Sequence, residues 1–154
     1  GRKMPVKDVR TGDQIKVADG LATVKCVISI DRPNKSLVKL PSGLTITKRH
    51  PIRVNSAWIK PCEIVTTTVS NPSGFVYNFV LDRSHVLLVN GVECVTWGHG
   101  LTAEGVKHAY YGSKIVEDLS AMQGWSAGFI VKGLNTATKR SAVIPQATNC
   151  AITL

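Results

Sequence analysis

Four side chains in this sequence join reactive atoms to a spacing that local structure can use. Thr47 and His50 stand three residues apart in Leu44-Thr45-Ile46-Thr47-Lys48-Arg49-His50-Pro51, His85 follows the apolar run Val76–Leu81, and Cys150 sits in Thr148-Asn149-Cys150-Ala151. An imidazole, with an unperturbed pKa of about 6.5, gives and takes a proton around neutrality. A thiol attacks carbonyl carbon as its thiolate, and a hydroxyl both donates and accepts hydrogen bonds. These are the parts of proton-assisted nucleophilic chemistry. His50, His85, His99 and a cysteine are also metal-ligand types, but their spacing follows no zinc pattern, and no metal or other cofactor is expected.

The elements that must position these groups are short strands. Val6–Val9, Gln14–Val17, the β-branched run Leu21–Ile30 and Leu37–Leu40 are separated by turn signals at Thr11-Gly12-Asp13, Asp19-Gly20 and Asp31–Asn34. Leu44-Thr45-Ile46-Thr47 alternates, placing Leu44 and Ile46 on one face and the two threonines on the other. A short element around Trp58 ends at Pro61. Phe75–Leu81 and Val86–Val89 carry the strongest strand signal and read as one hairpin unit with His85 beside its turn, and Asn90-Gly91 supplies the positive φ values of a type I′ turn. Beyond residue 100 the pattern changes. Ser113–Met122 places Ile115, Leu119 and Met122 on one helical stripe, with Ser113 as N-cap and Gly124 as stop. Phe129–Val131 and Ala142–Ile144 give weaker strand signals.

The chain has 154 residues, 44% hydrophobic and 19% charged, with a mean hydropathy of +0.07. That is the profile of one folded domain and not of a disordered segment. No run of some 18 apolar residues is present, so no membrane span is expected, and the opening Gly1-Arg2-Lys3 is followed by no apolar stretch of signal type. The net charge of +9 is uneven: residues 1–60 hold 13 Lys and Arg against 4 Asp, whereas residues 61–154 hold 6 of each sign. An asymmetry of this kind fits either a solvated basic surface or a polyanion site, with Lys48, Arg49 and Arg53 as its candidate contacts. No RNA-binding aromatic motif or Cys-x-x-Cys pair accompanies it, which argues against specific nucleic-acid reading. Cys26 and Cys94 lie within apolar strand patterns and read as small buried hydrophobes.

The order of these segments carries a resemblance. The Pro5–Ile15 opening, the Thr47-x-x-His50 pair, the Asn55–Ile64 stretch with Trp58 and the late Val76–Val92 unit with its internal histidine resemble the Hint fold shared by inteins and Hedgehog autoprocessing domains. Cys94-Val95-Thr96-Trp97-Gly98-His99-Gly100 looks most like the Vint branch, which is fused to von Willebrand A domains. The resemblance implies a mostly β Hint fold of β-hairpins with a short helical C-terminal extension. Residues 1–100 would form the core and 101–154 an accessory segment, similar to an adduct-recognition region, within one compact domain. It further implies self-cleavage by an N-to-S acyl shift to a thioester, with an N-terminal precursor domain of von Willebrand A type as partner. His50 would be the acid/base, Thr47 would hydrogen-bond the scissile amide, and His85 would assist proton transfer. The alternative is an inactive or truncated Hint-like scaffold that binds a polyanion such as a sulfated glycosaminoglycan.

One departure from the family pattern matters. Hint domains open on the nucleophile, upstream of the Pro5-type segment, and Gly1 stands too close to Pro5 for that strand. Cys150 is then either a relocated nucleophile acting on the Asn149-Cys150 bond or an ordinary residue. An intein-like downstream role lacks a histidine directly before Asn149. Val95-Thr96 replaces the His-Asn ending of the late hairpin, so full splicing is not expected.

Overall fold

A computed structural model describes residues 4–31, 37–71, 74–133 and 151–152. Among these the chain is mostly β, with one helix. The strands are β1 (Gln14–Val17), β2 (Gly20–Asp31), β3 (Leu37–Lys39), β4 (Thr45–Thr47), β5 (Ile52–Val54), β6 (Ala57–Ile59), β7 (Thr68–Val69), β8 (Phe75–Leu81), β9 (Val86–Val89), β10 (Val92–Val95), β11 (Phe129–Gly133) and β12 (Ala151–Ile152); the helix α1 is Ser113–Ser120. Val6–Asp8 is a 3-10 turn and not the strand its alternation suggests: Pro5 holds φ at −59°, and its carbonyl accepts from the Asp8 N–H. The Ala142–Ile144 signal lies outside the described residues.

The hydrogen-bonded order is β6-β5-β10-β9-β1-β2-β8-β12-β4-β3-β7, with β11 added beside β2. The β5–β6 and β9–β10 hairpins close through two-residue turns, Asn55-Ser56 and Asn90-Gly91, whose residues all have positive φ. Phe75–Leu81 and Val86–Val89 do not pair with each other: β8 runs antiparallel to β2, while β9 pairs with β10 and β1. Asp82–His85 is therefore a corner between layers and not a hairpin turn.

The β2–β8 pair is buried on both faces, which is why its sequences read as continuous apolar runs. On one side Val24, Val27, Tyr77, Phe79 and Leu81 join Leu44, Ile46, Ile52 and Leu87 in one core. On the other, Cys26, Ile28, Ile30, Val76 and Val80 meet Trp97, Ile130 and the α1 residues Ile115 and Leu119. Burying Ile115 and Leu119 contributes about 1.5–3 kcal/mol each, the order needed to hold an eight-residue helix too short to persist alone. The helix begins one residue earlier than its cap signal indicates. Gly112 is the N-cap and Ser113 the first helical residue, because the Gly112 backbone passes so close to the His99 carbonyl that a Cβ there would lie 2.8 Å from its oxygen.

Two late strands lie parallel in the sheet. β11 runs beside β2, from Phe129 opposite Val27 to Gly133 opposite Asp31, and the Thr11 hydroxyl ties its start by donating to the Gly128 carbonyl. β12 lies between β4 and β8, with Ala151 opposite Thr45 and Ile152 opposite both Ile46 and Tyr77. No helix among the described residues is long and apolar enough to cross a membrane.

Candidate active site

The Thr47–His50 segment is a tight turn in which the His50 N–H donates to the Thr47 carbonyl at 3.1 Å. Its ends point inward and its middle outward: Thr47 and His50 are buried, Lys48 and Arg49 exposed. Pro51 forces the chain to leave extended, into β5. The His50 ring is pinned, since its Nε2–H donates to the Val95 carbonyl at 2.6 Å, and the Val95 N–H returns to the Pro51 carbonyl at 3.3 Å. A carbonyl only accepts, so the neutral ring carries its proton on Nε2 and Nδ1 has the lone pair.

The residues that follow Val95 gather the rest of the site. The Thr96 N–H donates to the His85 carbonyl at 2.9 Å, the Trp97 N–H to Asn78 Oδ1 at 3.0 Å, and the Gly98 N–H to the Tyr111 carbonyl at 2.8 Å. Val95–Gly98 is thus a strap on which four successive residues are held by four different parts of the chain. Asn78 also takes the N–H of Phe79 at 2.8 Å and is fully buried. The sequence reading passed over this residue; the available signal was a lone amide inside the otherwise apolar run Phe75–Leu81.

His85 occupies a strained corner. Ser84 and His85 have φ of 69° and 58°, a left-handed pair that costs roughly 1–2 kcal/mol per residue. The surroundings over-determine it. Asp82 accepts from the Thr23 N–H at 2.9 Å, while Arg83 donates to the Leu21 carbonyl at 2.7 Å and to Asp19 at 2.9 Å. Strain sustained in this way is commonest at functional sites. The His85 ring packs against Gly98, where φ is +94° and a Cβ would come within 3.2 Å of Val116 on α1. Burial lowers the His85 pKa, partly opposed by Asp82. Its buried Nδ1 has no hydrogen-bond partner, and neither has Nε2 of His99, whose pKa is lowered by burial and by repulsion from His85 and His108. Both imidazoles are therefore neutral at pH 7.

The structure brings Thr47 and His50 together in one turn and sets His50 and His85 against consecutive residues of one strap. Cys150 lies outside the described residues. Strand β12, which begins with the next residue, enters the sheet between the strands bearing Thr47 and Asn78 and runs in their direction. Its register sets Ala151 two residues short of Thr47, about 7 Å along the strand. Of the basic candidates, Lys48 and Arg49 project freely into solvent, whereas Arg53 donates to the Glu93 carboxylate and stacks 5.2 Å from the Trp58 ring centroid. Cys26 and Cys94 are fully buried, and burial pushes the Cys26 thiol up to about 11 and that of Cys94 further still. No group of three His, Cys, Asp or Glu side chains able to hold a metal ion occurs among the described residues.

Comparison with protein families matches residues 1–146 to the model described as Vint, Hint-domain. Comparison with curated proteins finds no match.

Proposed function

Because this chain belongs to the Vint family of Hint domains, we propose that it is an autoprocessing domain that breaks a backbone bond through a thioester, without full splicing. The Cys150 thiolate attacks the carbonyl carbon of Asn149, the C–N bond opens, and the departing nitrogen takes a proton. What remains is a thioester on sulfur and a free amine on the former Cys150 nitrogen. Water, a thiol or another nucleophile then attacks the thioester carbonyl and releases the thiolate.

A planar amide resists such attack, so the reaction needs a proton donor at nitrogen and a hydrogen bond that polarises or twists the bond. His50 Nδ1 takes the Cys150 thiol proton and passes it to the departing nitrogen, Thr47 positions the scissile amide, and His85, neutral and desolvated, accepts a proton when the intermediate resolves. The observation that carries this reading is the Val95–Gly98 strap, which holds His50, His85 and Asn78 through three consecutive residues. The insertion of β12 between β4 and β8 supports a part for the C-terminal segment. Residues 101–154 act as the accessory segment, and the partner released is a domain of von Willebrand A type.

The test is a precursor bearing a tag on each side of Asn149-Cys150, incubated with and without dithiothreitol. Thiol-dependent fragments are expected, and none from Cys150→Ala or His50→Ala. Cleavage that persists in Cys150→Ala would place the nucleophile elsewhere, and an intact precursor after prolonged thiol treatment would remove the self-cleavage reading. A second reading, a scaffold for a sulfated polysaccharide, is favoured by the exposed Lys48 and Arg49 at the turn tip and by the charge excess in residues 1–60. It does not exclude the first.

A further inference from the structure

Two buried imidazoles stand where the strap meets α1. The Gly98 N–H donates to the Tyr111 carbonyl at 2.8 Å and the Ile115 N–H to the Tyr110 carbonyl at 3.0 Å, so this tyrosine pair ties the strap to the start of the helix. The Tyr111 ring also stacks on Trp97, with 5.9 Å between centroids. At the other end of the joint the Leu101 N–H donates to His99 Nδ1 at 3.3 Å, which puts the proton of the neutral ring on Nε2. A second proton would have to enter at Nδ1 and would break the Leu101 bond. A Cβ on Gly98 would lie 3.8 Å from the His85 ring and 3.2 Å from Val116 of α1, so ring, strap and helix meet with no room for a side chain between them.

Neither ring is built to hold a charge. His99 is 1% exposed, and its Nε2, like Nδ1 of His85, is buried without a hydrogen-bond partner among the described residues. The groups around them offer little compensation. Asp82 faces His85 from its own corner, but its carboxylate already accepts from the Thr23 N–H. His85 and His108 face His99 and repel a charge on it. From α1 the uncharged Val116 reaches the strap at Gly98, and the Asp118 carboxylate accepts from the Tyr110 hydroxyl. The Lys132 ammonium, 5.7 Å from the Trp97 ring centroid, adds positive charge to the same region. What holds the helix down is small, since its eight residues bury Ile115 and Leu119. An element docked through so few side chains opens more readily than the sheet beneath it.

We propose that His85 and His99 form an acid-released latch, which docks residues 99–120 on the second core while both rings are neutral and lets them go on protonation, with the first core still folded. The sign follows from linkage. Burial depresses the proton affinity of both rings in the docked state, so docking is complete above about pH 6.5 and weakens as the pH falls below it. Two protons taken up on release raise the opening equilibrium up to about a hundredfold per pH unit. The latch does not depend on the cleavage reading.

The test is amide hydrogen exchange of the whole chain between pH 7.5 and 5, corrected for the intrinsic pH dependence of exchange. By pH 5 the α1 amides should exchange at nearly unfolded rates while those of Val24–Ile30 in β2 keep their protection. In His85→Gln the loss of α1 protection should fall from about a hundredfold to about tenfold per pH unit, and His99→Gln should act alike. Should His99→Gln fail to fold, the ring signals of the unmutated chain replace it, and those of His85 and His99 should titrate at the pH at which α1 is released. At pH 5, α1 amides protected as well as those of β2 would overturn the proposal, as would an unchanged slope in His85→Gln.

Discussion

Replacing Asn78 by alanine tests whether one amide holds the site to the sheet. Asn78 Oδ1 accepts two backbone N–H groups, from Phe79 at 2.8 Å and from Trp97 at 3.0 Å, in a fully buried setting that water does not reach. Truncation leaves both donors without that acceptor. Each buried unsatisfied group costs about 1–3 kcal/mol, so Asn78→Ala should lose roughly 2–6 kcal/mol. In a domain of this size each kcal/mol lowers Tm by about 2–4 °C, which makes a fall of roughly 5–20 °C the expected result. Asn78→Asp keeps an oxygen at the same position and should lose less. Urea unfolding gives the energy, and hydrogen exchange locates it: the Trp97 amide should lose protection in the alanine variant while the β2 amides keep theirs. An alanine variant within about 0.5 kcal/mol of the parent, with Trp97 still protected, would refute the claim that this side chain ties the strap to β8.

Three further outcomes follow from the same structure. Because burial lowers the folded-state pKa of His85 and His99, the unfolded chain binds protons first; stability should be full above about pH 6.5 and fall as pH drops below it. Urea midpoints between pH 7.5 and 5 measure this, and His85→Gln should flatten the slope. Cys26 and Cys94 should react with an aromatic disulfide reagent only as fast as the protein unfolds, whereas the half-exposed Cys62 should react in the native state. On a heparin column Lys48→Ala and Arg49→Ala should each lower the eluting salt, and Arg53→Ala should lower it less, since its guanidinium is already held by Glu93 and Trp58. Equal shifts for all three would show that the Glu93 pairing does not restrain Arg53.

Features set by neighbours in the chain were readable from residue order. The Asn90-Gly91 turn needs only local φ preferences, the Thr47–His50 turn is fixed by four residues and a following proline, and Ile115 and Leu119 share a helical stripe because they are four apart. Pairings at long range were not readable. Nothing within Phe75–Leu81 says that its partner is β2 and not the adjacent Val86–Val89, because a strand buried on both faces has no alternation to reveal its register. The parallel placement of β11 and β12 depends on surfaces made by distant strands. The closeness of His85, His99 and His108 arises only when the strap and α1 fold onto the second core. Asn78 was hidden by its apolar neighbours, which marked its segment as a strand and drew attention from the one polar group within it.

The two-residue strand β12 has a temporal consequence. Among the described strands it alone pairs with both β8 and β4, and so it lies between the strand bearing Asn78 and the strand bearing Thr47. It also comes after every other described strand in the chain. During synthesis the remaining described strands are available before this keystone emerges, and β4 and β8 are bridged through the sheet only when it does. The seam between β4 and β8 is thereby the last part of the described sheet to close.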